Sequence, residues 1–413
     1  MTLDLRPFIR PGDTVVVGQT TGEPRSLVEA LIEQRHHLAP IRVFVGGSFT
    51  GLFRAEHADA FDFRSFGVLG QTASLANAGV LSVMPIHVGT LPALMRSGGL
   101  RVDVLLAQVS EANAEGYHSF GLMADYLQAA AECARVVIGE VNPRVPFTFG
   151  DTLIPSQRIN ATTYDERPLI AVERRTPTPD DITIAGHVAG VIPDGATIQI
   201  GVGGTPDAVL ANLVDRNDIG VHSGLITDSL LDLIEAGVVT NSRKEIDRGV
   251  TVAGALFGTD RLYQWADRNP ALAMRSLSYT HDAQVLGHLG SFFAINSAVE
   301  IDLTGQINGE SVGGKLVGLV GGQGAFARAA LTSRTGRSIV ALPSTARGRS
   351  TSRIVARLAD GIASTSRADA DLVITEHGLA DLRGASIQER IVRLLAIADP
   401  AHVDELRAAA ARP

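Results

Sequence analysis

Short runs of β-branched and aliphatic residues alternate along the chain with longer segments in which apolar residues recur every three or four positions. Apolar runs of this length, separated by amphipathic patterns, are typical of βαβ units and a parallel sheet. The predicted strands lie at 14–19, 41–47, 64–70, 81–87, 102–110 and 135–142, and again at 196–204, 219–223, 249–258, 292–303, 337–344 and 370–378. The pattern therefore predicts an α/β fold with two similar open, mainly parallel sheets.

A polar segment separates the two series of strands. AVERRTPTPDDITIAGH mixes charged residues with Thr and Pro, which is typical of a surface linker near residues 171–182. The sequence therefore predicts an N-terminal α/β domain at 1–176 and a C-terminal α/β domain at 177–413.

Composition narrows the class of protein. With 413 residues, of which 45% are hydrophobic, the chain can bury a large core. A net charge of -8 gives no general attraction to nucleic acid or to an acidic membrane surface, so neither is an expected partner. The start, MTLDLRPFIRPGD, has no secretory pattern, and no apolar run approaches the length of a membrane span. We expect a cytoplasmic protein.

The sequence gives no support for a metal site, a disulfide framework or a site with several thiolates. The single cysteine, Cys133, excludes a disulfide framework within the chain and a site with several thiolates. The eleven histidines show no H-E-x-x-H spacing, so no metal is expected. His222 lies near the end of a predicted strand, where it is either an acid or base or a hydrogen-bonded structural residue.

Two glycine-rich turns each precede a predicted helix, and the first also follows a predicted strand. The first contains Gly201, Val202, Gly203, Gly204 and Thr205, ahead of Pro206; the second contains Gly321, Gly322 and Gln323, ahead of a helix predicted to begin near Phe326. Glycines permit positive φ and close approach of the backbone, and a helix N-terminus presents free N–H groups to an anion or oxyanion. Each turn is alternatively a simple packing turn. Neither matches a dinucleotide fingerprint or a P-loop.

A basic loop follows the strand at 337–344. Ser344 and Thr345 lie at the exit of the strand, and Arg347, Arg349 and Arg353 follow within a Gly- and Ser-rich stretch that suits phosphate recognition. A solvated charged loop is the alternative. No G-x-S-x-G elbow stands at a strand end, which excludes a Ser-His-Asp hydrolase of that type.

Several of these segments together carry a family resemblance. GVGGTPDAV, INSAVEIDLTGQINGESVGG, VGGQGAF, SIVALPSTA and DLVITEHGLADLRG occur in this order in the second half, after QVSEANAEGYHSFG and ARVVIGEVNPRVPFTFGD in the first. The chain resembles the acetyl-CoA hydrolase/transferase family of the class I CoA-transferase superfamily, which includes 4-hydroxybutyrate CoA-transferases. The resemblance implies a coenzyme A thioester as substrate and a homodimer.

The resemblance also implies roles for individual residues. Residues 201–205 and 321–323 would contact coenzyme A and hold the oxyanion, and Ser344, Thr345 and Arg347 would lie near its phosphates. Members of the family transfer coenzyme A through a glutamate that attacks the acyl-CoA carbonyl. That glutamate follows His-Ser or His-Thr at a strand end, and here His222 and Ser223 are followed by Gly224.

Gly224 has no carboxylate to form an anhydride. We therefore expect an enzyme that acts on an acyl-CoA, with or without a second acceptor substrate, by hydrolysis, direct acyl transfer or carbon-carbon bond chemistry. Glu111, in QVSEAN, departs from the Pro-rich loop usual in the family and is a candidate general base or a surface or helix-capping residue. The alternatives are a non-catalytic acyl-CoA-binding subunit or sensor, and an orthodox CoA-transferase that uses another carboxylate.

Overall fold

The computed structural model describes residues 2–346 and 348–410. These residues form two compact units. The first contains the chain up to Glu173 together with Val252–Thr280 and Leu316–Leu319, and the second contains Arg174–Thr251, His281–Lys315 and the chain from Val320 onward. The two later segments of the first unit lie among strands and helices of the C-terminal half, so the linker pattern alone does not indicate them.

A parallel sheet of seven strands forms the first unit, in the order β4-β3-β2-β1-β5-β7-β9. Its strands are β1 Thr14–Val17, β2 Ile41–Val45, β3 Phe61–Ser65, β4 Leu81–Val83, β5 Val104–Val109, β7 Val136–Val141 and β9 Ala161–Tyr164; β6 Tyr117–Ser119 and β8 Leu153–Pro155 form a separate antiparallel pair. The helices are α1 Arg25–Glu33, α2 Arg35–Leu38, α3 Thr72–Asn77, α4 Leu91–Arg96, α5 Leu127–Cys133, α9 Asp260–Ala266 and α10 Leu277–Thr280.

The second unit is built on the strand order β11-β10-β16-β21-β25-β26, parallel throughout except for the hairpin β25-β26. These strands are β10 Thr197–Ile200, β11 Gly220–Ser223, β16 Phe292–Asn296, β21 Arg337–Ala341, β25 Leu372–Thr375 and β26 Gly378–Asp381. The helices are α6 Pro179–Val191, α7 Gly204–Ala211, α8 Asp228–Glu235, α11 Ala283–Gly287, α12 Gln323–Thr332, α13 Ile387–Ala396 and α14 Val403–Ala410.

Short strands complete the chain. They are β12 Ile226–Thr227, β13 Thr251–Ala253, β14 Leu256–Phe257, β15 Leu272–Met274, β17 Glu300–Asp302, β18 Ile307–Asn308, β19 Ser311–Val312, β20 Lys315–Leu316, β22 Thr345–Ala346, β23 Thr351–Ser352 and β24 Ile354–Val355. The predicted fold class, mainly parallel α/β sheets in two units, is confirmed.

The central strands are apolar because helices cover parallel sheets on both faces. Every residue of β1, β5 and β7 is buried, and Val15, Leu106 and Ile138 belong to one core cluster of the first unit. In the second unit Phe292 and Ala294 of β16 and Phe326 of α12 belong to one cluster between this strand and this helix. Burying each large apolar side chain contributes about 2 kcal/mol, so these strands anchor the turns at their ends.

Several sequence-based boundaries are wrong, and one of them is the strand predicted at 249–258, which is two short strands, β13 and β14. The strand predicted at 64–70 is β3, Phe61–Ser65, and the chain then turns through Gly70 at a φ of 64°. The strand predicted at 292–303 is two strands, β16 and β17, with a break between Asn296 and Glu300. The linker is shorter than 171–182 because α6 begins at Pro179.

Across residues 2–346 and 348–410, no helix combines the length and apolar character that crossing a membrane requires.

Candidate active site

Two strand ends of the second unit lie side by side. β10 and β11 pair in parallel, with Thr197 opposite Gly220 and Ile198 opposite Val221. At their carboxyl ends the Ser223 hydroxyl donates to the Ile200 carbonyl oxygen at 3.2 Å. The first glycine turn and the corner at Gly224 therefore begin from neighbouring positions, at the edge where open α/β sheets bind ligands.

The first glycine turn leads from β10 directly into α7. Gly203 has a φ of 129°, which residues with a side chain rarely adopt, and α7 begins at Gly204. Val202 is 46% exposed at the tip of the turn. A Cβ at Gly201 would meet no atom within 4 Å, so only Gly203 requires glycine for its backbone conformation. The turn places the free N–H groups of α7 beside the strand end.

The α7 end of this turn is tied to α6 by a buried carboxylate. Asp181 accepts hydrogen bonds from the Thr205 hydroxyl, from the Thr178 hydroxyl at 2.7 Å and from the Thr178 backbone N–H at 2.9 Å. Burial raises the pKa of Asp181, but the hydrogen bonds from Thr205 and Thr178 and the charge of Arg353 outweigh it and hold the pKa below its usual value. Asp181 therefore stays ionised and fixes Thr205.

Replacing Thr205 by valine should weaken binding of acyl-CoA about fivefold. The substitution removes a hydrogen bond to a carboxylate, worth about 1 kcal/mol, and frees the start of α7. Isothermal titration with a non-hydrolysable CoA thioether measures the effect. Thr205→Ser keeps the hydroxyl and is the matched control, so a serine variant that binds as weakly as the valine variant would contradict the role of the hydroxyl.

The second glycine turn holds a buried amide. Gly321 has a φ of 65°, and α12 begins at Gln323, earlier than the predicted start near Phe326. The Nε2 atom of Gln323 is buried and donates to no protein acceptor in the described part of the chain. A buried donor without a partner costs about 1–3 kcal/mol, and a substrate carbonyl oxygen could offset that cost. The predicted role of Gln323 fits this geometry.

The corner after β11 faces aromatic rings. A Cβ built on Gly224 would lie 3.3 Å from Cε1 of His281 and 3.7 Å from Cε2 of Phe326. The preceding His222 is fully buried in β11. Burial, with a smaller contribution from the charge of His222, lowers the pKa of His281 to about 3. His281 is therefore an uncharged imidazole at neutral pH.

The predicted phosphate-binding loop is largely occupied by internal contacts. Ser344 is fully buried, and its hydroxyl and N–H donate to the Glu376 carboxylate at 2.6 and 2.8 Å. Thr345 begins the hairpin of β22 and β23. Arg349 forms ion pairs with Asp180 and Asp399, at 3.4 and 3.7 Å. Arg347 lies outside the described residues, so its predicted contact with coenzyme A stays a prediction.

Arg353 is more enclosed than Arg349, which is exposed. The Arg353 guanidinium donates to the Ala298 carbonyl oxygen at 3.3 Å. Burial lowers the pKa of Arg353, while the charges of Asp181 and Glu376 partly offset this effect. The charges of the carboxylate under the first glycine turn and of the carboxylate under Ser344 therefore both act on Arg353.

Glu111 lies in the first unit, in the loop after β5, and is exposed. The next helix along the chain, α5, begins only at Leu127, so Glu111 does not cap a helix. Its proposed role as a general base stays a prediction.

His281 is the site residue that the sequence does not indicate. It lies in SLSYTHDAQ, directly before Asp282, whose side chain caps α11. No motif surrounds this histidine, and its neighbours in space come from other parts of the chain. For Asp181 the sequence does contain a local signal, because Thr178 and Asp181 form a Thr-x-x-Asp capping box.

Two family models match the chain. The acetyl-CoA hydrolase/transferase N-terminal domain matches residues 3–174, and the acetyl-CoA hydrolase/transferase C-terminal domain matches residues 258–410. The chain belongs to the acetyl-CoA hydrolase/transferase family. The 4-hydroxybutyrate coenzyme A transferase of Clostridium kluyveri is a relative at 37% identity over 394 residues, or 94% of this chain and 91% of the relative.

Solved structures of the family share the whole fold. RipA from Yersinia pestis is similar with a TM-score of 0.93 at 33% identity, covering 98% of this chain and 95% of that chain. The 4-hydroxybutyrate CoA-transferase of Porphyromonas gingivalis is similar with a TM-score of 0.82 at 33% identity, covering 97% and 94%. The membership predicted from the motifs is thereby confirmed.

Proposed function

We propose that this member of the acetyl-CoA hydrolase/transferase family acts on an acyl-CoA thioester without a covalent glutamyl intermediate. The observation that carries the proposal is the corner at Gly224. The resemblance assigns the nucleophilic carboxylate to this position, which here has no side chain and faces the rings of His281 and Phe326. A reaction that needs a glutamyl anhydride at this corner has no group to form it.

The remaining groups suit the activation of a thioester carbonyl. The buried amide of Gln323 and the N-terminal N–H groups of α7 and α12 can stabilise negative charge on the carbonyl oxygen. In the simplest reaction the acceptor is water. The water oxygen bonds to the carbonyl carbon, the carbon-sulfur bond breaks, and a proton of the water passes to the CoA thiolate, giving a carboxylic acid and free coenzyme A. Direct acyl transfer and carbon-carbon bond chemistry use the same carbonyl activation.

The test uses the purified full chain with a panel of acyl-CoA thioesters. We expect release of free coenzyme A thiol without an added carboxylate, and no increase in protein mass corresponding to bound coenzyme A. Borohydride, which reduces a glutamyl thioester, should leave the activity unchanged.

Other outcomes would favour the competing functions. A glutamyl-CoA adduct, or exchange between labelled acetate and acetyl-CoA, would contradict the proposal and indicate an orthodox transferase that uses another carboxylate. Binding of acyl-CoA without turnover of any thioester, alone or with acceptors, would indicate a binding subunit or sensor. Light scattering after size-exclusion chromatography tests the homodimer that we propose from the resemblance.

A further inference from the structure

The imidazole of His281 is enclosed by two glycines and one phenyl ring. Its ring centroid lies 4.4 Å from that of Phe326. A Cβ at Gly322 would lie only 2.1 Å from Nε2 of His281, and a Cβ at Gly224 would lie 3.6 Å from the same atom. The corner after β11 and the second glycine turn thus approach each other through the ring of His281.

We infer that His281 fixes glycine at position 224 and is a specificity-determining residue, because it occupies the space that a nucleophilic side chain would need. The inference rests on the proposed function in one respect, namely that position 224 is where the resemblance places the family's carboxylate. The steric relation between the two residues is independent of any reaction.

A side chain at position 224 would begin by pointing at the rings. Its Cβ would lie 3.3 Å from Cε1 of His281, closer than the usual carbon-carbon separation of about 3.5–4.0 Å. The imidazole would have to move away, but the backbone of Gly322 and the ring of Phe326 already contact it. Because cores resist added volume, the longer glutamate side chain is disfavoured while the imidazole stays in place.

The uncharged rings beside position 224 also disfavour a glutamate there. The imidazole is uncharged at neutral pH, since burial lowers the pKa of His281. Phe326 is 3% exposed and adds an apolar surface. A carboxylate pressed against these two rings would lose hydration and find no positive charge on either ring, which is costly.

The test compares Gly224→Glu with the double variant Gly224→Glu/His281→Ala in the full chain. In an orthodox transfer the glutamate oxygen bonds to the acyl carbon as CoA thiolate leaves. The thiolate then attacks the glutamyl carbonyl and releases the acyl group as a carboxylate. We expect the double variant to accumulate at least tenfold more glutamyl-CoA adduct than the single variant, measured by intact-protein mass spectrometry with acetyl-CoA. The matched control is Gly224→Gln/His281→Ala, which has the same shape but no carboxylate and should form no adduct.

Two results would overturn the inference. One is a single variant Gly224→Glu that forms as much adduct as the double variant. The other is a double variant that binds acyl-CoA yet forms no adduct. If the glutamate variants do not fold, Gly224→Ala replaces them: it should lower the melting temperature in the native background and not in the His281→Ala background. Equal effects in both backgrounds would likewise overturn the inference.

The wild-type protein in the same experiment tests the proposed function separately. Wild-type protein that releases no coenzyme A from any thioester contradicts the proposed function. The comparison of the single and double variants does not depend on that result.

Discussion

Replacing Gly322 by alanine should lower acyl-CoA turnover by about a hundredfold and the free energy of unfolding by about 3 kcal/mol. The backbone is not the cause, because Gly322 has a φ of -99° and a ψ of -8°, which alanine adopts readily. The new Cβ would lie 2.1 Å from Nε2 of His281. Relief of this overlap must displace the imidazole or the glycine turn, and the turn carries the Gln323 amide. Urea denaturation and thiol release with acyl-CoA measure the two effects.

Two controls separate this steric effect from a general cost of glycine substitution. Gly201→Ala changes the other glycine turn, where a Cβ meets nothing within 4 Å, and should leave stability within about 0.5 kcal/mol of wild type. Adding His281→Ala to Gly322→Ala should restore most of the lost stability. A Gly322→Ala protein as stable as Gly201→Ala would show that the contact with His281 imposes no constraint.

Replacing Asp125 by asparagine should change the free energy of unfolding by an amount that depends on pH. Relative to wild type, the variant should be about 3 kcal/mol more stable at neutral pH than it is in acid. Burial raises the pKa of Asp125 from 3.8 to about 6, although hydrogen bonds from Gln19 and Leu127 oppose the shift. As pH rises through this window the unfolded chain releases its proton first, so the wild-type folded state loses stability. At about 1.4 kcal/mol for each pH unit, the loss is about 3 kcal/mol and is complete above about pH 6.

Asparagine removes the charge and keeps a hydrogen-bonding partner. The Gln19 amide donates to Asp125 at 2.6 Å, and its Oε1 atom is buried without a partner in the described residues. If the Gln19 amide turns over, its Oε1 atom can accept a hydrogen bond from the amide N–H of the introduced asparagine. Urea denaturation of both proteins between about pH 3.5 and pH 7.5 gives the difference.

Asp125→Leu is the control for hydrogen bonding. The leucine variant lacks the charge and also the contact with Gln19, so it should be less stable than the asparagine variant by a constant amount across the pH range. A difference between wild type and Asp125→Asn that does not change with pH would contradict the raised pKa.

Sequence patterns predict the fold well where the residues of a strand are buried on both faces. β1, β5 and β7 are continuous apolar runs because helices cover a parallel sheet on both sides. Prediction fails where tertiary contacts end a strand early. The run at 64–70 looks like a strand, but a Cβ at Gly67 would lie 2.2 Å from Leu319, a residue far away in the sequence. After Ser65 the chain instead bonds to this distant segment, because the Val68 N–H donates to the Gly318 carbonyl oxygen at 2.8 Å.

The candidate site likewise contains residues that local sequence signals predict and residues whose contacts only the tertiary structure shows. Glycine turns and a Thr-x-x-Asp cap are local signals, and the structure places Gly203 and Gly322 at the turns and Asp181 in the first turn of α6, as these signals indicate. Ser344 illustrates the limit. Its position at a strand end suggests a ligand contact, but the Glu376 carboxylate accepts both of its donors. The partner comes from the next parallel strand, and no local pattern identifies it.

The sequence by itself determines the α/β class, the two glycine turns and the absence of a carboxylate at Gly224, because each follows from residue type and local spacing. Only the tertiary structure decides what stands in the space beside Gly224. His281 reaches that space from a segment without a motif. Gly322 and Phe326, which lie in another segment of the chain, contact the imidazole of His281. Packing between residues that are distant along the chain leaves no periodic signal, so the neighbour of a missing side chain is visible only once the chain has folded.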